Sequence, residues 1–266
     1  MDFDIDAIAS LAVKAGERIM EIYDDEDNAS WTMLKSDCTP LTVADIESNM
    51  LITEGLKEMY PDIPVISEEE QVPEYEERKS WRRFWLVDPL DGTEEFISKS
   101  GEFTVNIGLI KDGRPVLGVI YLPAMDILYY GDARGSFKKE AGWKPQRIQT
   151  WKGAEADVDR KYLVATFNSK HMCEEDRRFL DRNGITNFID VGSSIKFCLV
   201  AEGTADVYYR GGRTMEWDTA AGQAIVENAD GMVVNDGRKP LRYNKESLIN
   251  RPYLCCSSPA GLNLAI

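Results

Sequence analysis

Phe84-Trp85-Leu86-Val87-Asp88-Pro89-Leu90-Asp91-Gly92-Thr93-Glu94-Glu95-Phe96 is the stretch on which the reading of this chain turns. An apolar run of strand type meets two carboxylates, Asp88 and Asp91. Pro89 biases Asp88 away from helical geometry and brings no N–H to a ladder, which predicts that the strand ends there. Asp88 and Asp91 then face one side with the Leu90 carbonyl between them, an all-oxygen set of the kind hard divalent cations take. Gly92 and Thr93 stand where a helix begins, and free amides at a helix start favour an anion such as phosphate. Carboxylates for metal beside amides for phosphate is the chemistry of metal-assisted phosphoryl transfer. Asp-Pro and Asp-Gly are also ordinary turn dipeptides, so this stretch alone leaves both readings open.

Upstream, Ile5, Ile8, Leu11, Ala12, Ala15, Ile19 and Ile22 recur at helical spacing and predict an amphipathic first helix. After a polar loop over 35–42, a second helix is predicted over 43–59 with Val43, Ile46, Met50, Leu56 and Met59 as its apolar face. Asp45 falls in its first turn, three after Thr42, where an acid caps the positive helix end. Pro64-Val65-Ile66 is a short strand that empties into Ser67-Glu68-Glu69-Glu70, the pattern seen again at Asp88; Glu69 and Glu70 read as a solvated acidic loop.

Downstream, 104–121 reads as a hairpin about Lys111-Asp112-Gly113-Arg114, and a further strand pair turns near Ala133-Arg134. Residues 146–160 are polar and irregular, which places a boundary between an α+β domain over 1–155 and an α/β domain over 156–266. The second part alternates: strands at 162–167, 188–191, 205–209, 232–235 and 253–256, and helices at 174–182, 193–202 and 218–228. Ser193 or Ser194 is the expected cap of the second helix, and Asp218 of the third. This β-α repetition indicates layered α/β architecture.

The chain has 266 residues, is 43% hydrophobic and carries a formal net charge of −15. Such a charge argues against a nucleic-acid polymer or an anionic membrane as partner. The acidic Met1-Asp2-Phe3-Asp4 lacks the basic start of a signal peptide, and no apolar run is long enough for an integral membrane segment. Cys38, Cys173, Cys198, Cys255 and Cys256 are odd in number and lack zinc spacing; they read as reduced thiols of a cytoplasmic protein.

Asp88-Pro89-Leu90-Asp91-Gly92-Thr93 and Trp217-Asp218-Thr219-Ala220-Ala221-Gly222 together resemble the two aspartate motifs of the lithium-sensitive, magnesium-dependent phosphatases of the inositol monophosphatase superfamily. Ser67-Glu68-Glu69, Gly101-Glu102-Phe103-Thr104-Val105-Asn106-Ile107 and the run from Gly192-Ser193-Ser194-Ile195-Lys196 to Ala201-Glu202-Gly203 are most similar to the CysQ type of 3′(2′),5′-bisphosphate nucleotidase. The resemblance is collinear over nearly the whole chain.

The resemblance implies an αβαβα sandwich, a monomer or homodimer, and roughly two or three magnesium ions. It implies that Glu68, Asp88, the Leu90 carbonyl, Asp91 and Asp218 are metal ligands, and that Asp45 and Thr93 orient the attacking water. Gly92 and Thr93 would hold the phosphate, and Lys35 would lie near it. Glu68, Leu90, Asp91, Asn168, His171, Ser193, Ser194, Lys196 and Asp218 complete the implied substrate contacts. The implied reaction is direct attack of metal-activated water on the 3′-phosphate of 3′-phosphoadenosine 5′-phosphate, giving AMP and phosphate. Without the resemblance, His171 reads as a surface or packing histidine, Ser193 as a helix cap and Lys196 as a solvated lysine.

Glu94, the run Asn168-Ser169-Lys170-His171, Arg213 and Glu216 depart from the CysQ pattern, all outside the ligand positions. Two other functions remain: an inositol or broad sugar-phosphate phosphatase, and a non-catalytic regulatory binding protein on the same fold. The last expects lost ligand positions, and none of the five is lost.

Overall fold

The computed structural model describes residues 3–25, 32–34, 40–150, 163–257 and 264–266; Lys35, Cys38 and the boundary after residue 155 lie outside them. Helix α1 (Ile5–Asp24) starts at Asp4, whose carboxylate accepts the Asp6 and Ala7 amides at 3.1 Å. It buries Ile5, Ile8, Ala12, Ala15, Ile19 and Ile22, the face its spacing predicts.

Strands β1 (Thr32–Leu34) and β2 (Pro40–Thr42) form a small antiparallel pair, and β2 leads into α2 (Val43–Met59). The span of α2 is as expected, but its buried face is not. Met50 is 53% exposed, and Asp45, Ser48, Asn49 and Thr53 point inward with Ala44, Ile52 and Leu56. Ser48 donates to the Pro89 carbonyl at 2.8 Å, and Asn49 accepts from Ser67 at 2.6 Å. An inward face that serves polar backbone cannot be read from apolar periodicity.

Seven strands make the first sheet. β3 (Val65–Ser67) lies parallel to β4 (Arg83–Asp91), with short α3 (Tyr75–Arg78) between them in the chain. β5 (Thr104–Lys111), β6 (Arg114–Leu122), β7 (Ile127–Asp132), β8 (Gly135–Glu140) and β9 (Gln146–Ile148) follow in order, all antiparallel. β9 lies in the stretch expected to be irregular. Nor does β4 end at Pro89. It pairs through Asp88↔Asn106 and resumes at Asp91↔Thr104, so Pro89 and Leu90 oppose Val105 alone. Proline lacks an N–H only where the bulge asks for none. α4 (Thr93–Ile97) begins directly after Gly92, which adopts φ +95°.

The second sheet is ordered β11 (Asn187–Asp190), β10 (Val164–Phe167), β12 (Val207–Arg210), β14 (Tyr253–Cys256), β13 (Met232–Asn235). Its first three strands are parallel and β14 is antiparallel to both neighbours. α6 (Ile195–Ala201) and α7 (Glu216–Asn228) lie between the sheets, where residues of both sheets share one apolar core. α1 and α2 cover the outer face of the first sheet, and α5 (Glu174–Asn183) the outer face of the second. This is the expected αβαβα layering.

One helix start meets expectation in position and one differs. α6 begins at Ile195 with Ser194 at its N-cap position, though without a side-chain capping hydrogen bond. α7 begins at Glu216, so Asp218 is its third residue rather than its cap.

α7 is seated by a row of glycines. Gly108, Gly118 and Gly131 stand opposite one another across β5, β6 and β7. A methyl group at Gly118 would come 2.2 Å from the Ala221 carbonyl oxygen, and at Gly108 2.8 Å from the Ala220 methyl. Gly118→Ala is therefore expected to cost about 1–3 kcal/mol, as overpacking of a close-packed core does. Thermal melting checks this; an unchanged Tm would show that the helix can move off the sheet freely.

Candidate active site

Because β3 and β4 are parallel neighbours, Glu68 just after β3 and the carboxylates in the last part of β4 come to one edge. The Glu68 amide donates to Val87 at 3.1 Å, and Asp88 continues that strand. Asp218 arrives from the first turn of α7. Carboxylate oxygens of Glu68, Asp88 and Asp218 all lie within 4.8 Å of one another.

Asp88 is the least satisfied of the three: it is 2% exposed and its Oδ1 has no hydrogen-bond partner. Burial pushes its carboxyl well above the usual range, and the charges of Glu68, Asp91 and Asp218 add to the shift. Burial does the same to Asp218, with Asp91 and Glu68 adding repulsion and the Met215 amide, 2.8 Å away, opposing it. Such a group either holds protons or accepts a cation. Anionic oxygens, one of them orphaned, fit a hard divalent ion. Asp91 stands beside the cluster and accepts from Ser194 Oγ at 2.7 Å. Burial raises its carboxyl, while Ser194 and the Lys196 charge pull it down.

Asp45 forms the cap that its position after Thr42 predicts, and its second oxygen turns to Thr93. Oδ2 accepts the Thr42 amide at 2.7 Å and its hydroxyl at 2.5 Å, closing a capping box. Oδ1 accepts from Thr93 Oγ1 at 3.1 Å. Asp45 is fully buried and meets the cleft-lining Thr93.

The cleft encloses about 280 Å³. Glu68, Asp88, Leu90, Asp91, Gly92 and Thr93 line it from the first half of the chain. Asn168, His171, Ser193, Ser194, Lys196 and Asp218 line it from the second. Lys35 lies outside the described residues.

The second set is built rather than solvated. Lys196 is 6% exposed, donates to the Val191 carbonyl at 3.2 Å and sits 5.5 Å from the centre of the Tyr208 ring. Burial lowers its pKa to about 8 against the attraction of Asp91. The solvated-lysine reading is thus overturned: α6 turns this position inward, between the sheets. Ser193 adopts φ +46° and its buried Oγ has no hydrogen-bond partner. Asn168 donates to Glu95 at 2.8 Å and accepts the Lys170 amide at 3.0 Å. His171 Nε2 lies 3.4 Å from Glu94 and 3.5 Å from Glu95.

Arg210 was not legible as a site residue. It ends β12, lines the cleft and donates to the His171 carbonyl at 3.0 Å. Neither Lys196 nor Arg210 forms an ion pair with a carboxylate among the described residues. The available signal was a cation closing an apolar strand, and that acquires meaning only once β12 is known to point at the cleft.

The chain matches the inositol monophosphatase family over residues 2–258. It is 43% identical to the 3′(2′),5′-bisphosphate nucleotidase CysQ of Salmonella typhimurium, over 92% of this chain and 96% of that one. The enzyme of the same name from Escherichia coli K12 is 42% identical with the same coverage. Among solved structures, CysQ from Bacteroides thetaiotaomicron superposes with a TM-score of 0.82 at 38% identity, covering 96% of this chain and 98% of that one. An inositol monophosphatase from Thermotoga maritima, 23% identical with a TM-score of 0.76 over 95% and 91% of the two chains, shares the fold.

Proposed function

Because the chain belongs to the inositol monophosphatase family, we propose that it is a magnesium-dependent 3′(2′),5′-bisphosphate nucleotidase that converts 3′-phosphoadenosine 5′-phosphate to AMP and phosphate. The observation that carries this reading is the two-ended cleft: clustered carboxylates, one of whose buried oxygens is orphaned, at one end, and at the other two cations that form no carboxylate ion pair among the described residues. A monophosphate needs only the first end. A bisphosphate occupies both, and the CysQ relatives carry that activity in their name.

In this reading Glu68, Asp88, Asp91, Asp218 and the Leu90 carbonyl hold magnesium. Bound there, magnesium supplies a lowered pKa for water and offsets negative charge on phosphoryl oxygens. The chain's own residues do the rest. Asp45, fixed by Thr42, accepts the hydrogen bond of the Thr93 hydroxyl. That leaves a Thr93 lone pair to accept a hydrogen bond from the attacking water and so orient it; the proton the water loses passes to Thr93 as the Thr93 proton passes to Asp45. The Gly92 and Thr93 amides precede the first intrahelical donor of α4 and are free to hold the reacting phosphate. Lys196 and Arg210 take the remote phosphate, and the Ser193 hydroxyl, His171 and Asn168 face the ribose and base. The two halves, 1–155 and 156–266, then divide the work: the first holds the reacting phosphate, and the second supplies Asp218 and the nucleotide contacts.

No helix of the described residues is long and apolar enough to cross a membrane. With Cys173, Cys198, Cys255 and Cys256 free, we place the enzyme in the cytoplasm, as a monomer or homodimer.

A phosphate-release panel tests the reading. It compares bisphosphate nucleotides, inositol phosphates and sugar bisphosphates, with magnesium, with chelator, and with magnesium plus lithium at constant ionic strength. Preferred release from 3′-phosphoadenosine 5′-phosphate, abolished by chelation and inhibited by lithium, is expected. Preference for inositol monophosphate would sink the substrate assignment.

A further inference from the structure

Glu216 stands two residues before Asp218 and is fully buried, yet its carboxylate has partners of its own. It accepts the backbone amides of Asn244 and Lys245 at 2.7 and 3.0 Å and the Lys245 ammonium at 2.6 Å. These belong to a strap over 242–250 that wraps the start of α7. The Glu216 amide donates to Leu248 at 2.9 Å, and Asn250 donates from its side chain to the Met215 carbonyl at 2.6 Å. Met215 in turn donates its amide to Asp218 Oδ2. The backbone that aims Asp218 is therefore tied to the strap from both sides.

The same strap is tied to the run that follows Glu68. Arg78, 3% exposed, donates to Asn244 Oδ1 at 2.9 Å and to the carbonyls of Lys245 and Glu246 at 2.7 and 2.8 Å. It also donates to the Pro73 carbonyl at 3.2 Å, and its own carbonyl accepts from Asn244 Nδ2 at 2.6 Å. Glu68 and Asp218 belong to segments that their like charges push apart. A hydrogen-bonded link between those segments opposes the spreading and leaves the oxygens poised before any ion arrives.

We propose that Glu216 is a positioning residue for the cation site: with Lys245, Asn244 and Arg78 it clamps the Asp218-bearing helix start to the Glu68-bearing run. The proposal rests on the cation-site reading above. Outer partners of this kind are typically worth about 10–100-fold in metal affinity. A buried charge pair is a poor source of stability compared with an apolar pair, so a purely structural role offers little reason for it.

The test is a thermal-melting titration with magnesium chloride alone, without substrate, at fixed ionic strength. It uses the full chain, Glu216→Gln and Lys245→Ala. Lys245 is 33% exposed, and the Asn244 and Lys245 backbone amides still hold Glu216 after its truncation, so Lys245→Ala is the milder variant. Each variant is expected to need about tenfold more magnesium for the same rise in Tm, and its loss of turnover to be recovered by excess magnesium. Variants that melt cooperatively with the parent's magnesium midpoint would overturn the proposal. If Glu216→Gln does not fold, an unchanged midpoint in Lys245→Ala overturns it equally. A parent protein whose melting ignores magnesium overturns the cation site itself, a failure distinct from that of the clamp.

Discussion

Asp88→Asn is expected to lose about a thousandfold or more of its turnover, while its metal-free form becomes more stable than the parent. The activity loss follows from replacing an anionic oxygen by a neutral amide that a hard cation binds less well. The gain follows from the same change: Asp88 is buried, its Oδ1 is orphaned, and it faces the charges of Glu68, Asp91 and Asp218. The sign with pH is definite. A carboxyl whose folded pKa is raised favours the folded state below its unfolded value near 3.8, and that contribution is lost as pH rises through the folded pKa. In chelator, the parent should therefore fall increasingly behind Asp88→Asn in Tm as pH rises from about 4 toward neutrality. Magnesium should reverse the order. Near-normal magnesium-dependent turnover in Asp88→Asn would remove Asp88 from the site.

Lys196→Met should raise KM for 3′-phosphoadenosine 5′-phosphate about 10–100-fold, the worth of one hydrogen bond to a charged group. KM for a small monophosphate should change little. Methionine keeps the apolar stem beside Tyr208 and removes only the charge, so the comparison separates recognition from packing. Because burial sets the lysine pKa at about 8, its charge is present below that pH and lost above it. KM for the bisphosphate should accordingly rise between pH 7 and 9 in the parent and stay level in Lys196→Met. Equal effects on both substrates would show that this end of the cleft binds no second phosphate.

Elements whose signal is local were legible in the chain. The hairpin at 111–114, helix α2 over Val43–Met59 and strands β13 and β14 lie where period and turn residues put them. The reading failed where a residue's role depends on a partner far along the chain. Pro89 is a strand breaker by itself, but it remains within β4 because β5 and Ser48 accept a bulge there. Met50 looks like core by its spacing, but it faces outward because α2 turns its polar side toward the β4 bulge.

Glu68, Asp88, Asp91 and Asp218 were named from sequence because each reads as a strand end or helix start, where side chains are aimed outward from an element, although Asp88 proves to lie inside β4. Tertiary structure alone decided how close they come, which oxygen lacks a donor, and that Asp91 leans toward Ser194. It alone buried Lys196, brought Arg210 to the cleft and enclosed Glu216. Local pattern determines where a side chain leaves the backbone. Burial, repulsion and a shifted pKa arise only from groups distant in the chain, brought together here by two sheets and the glycine-seated helix between them.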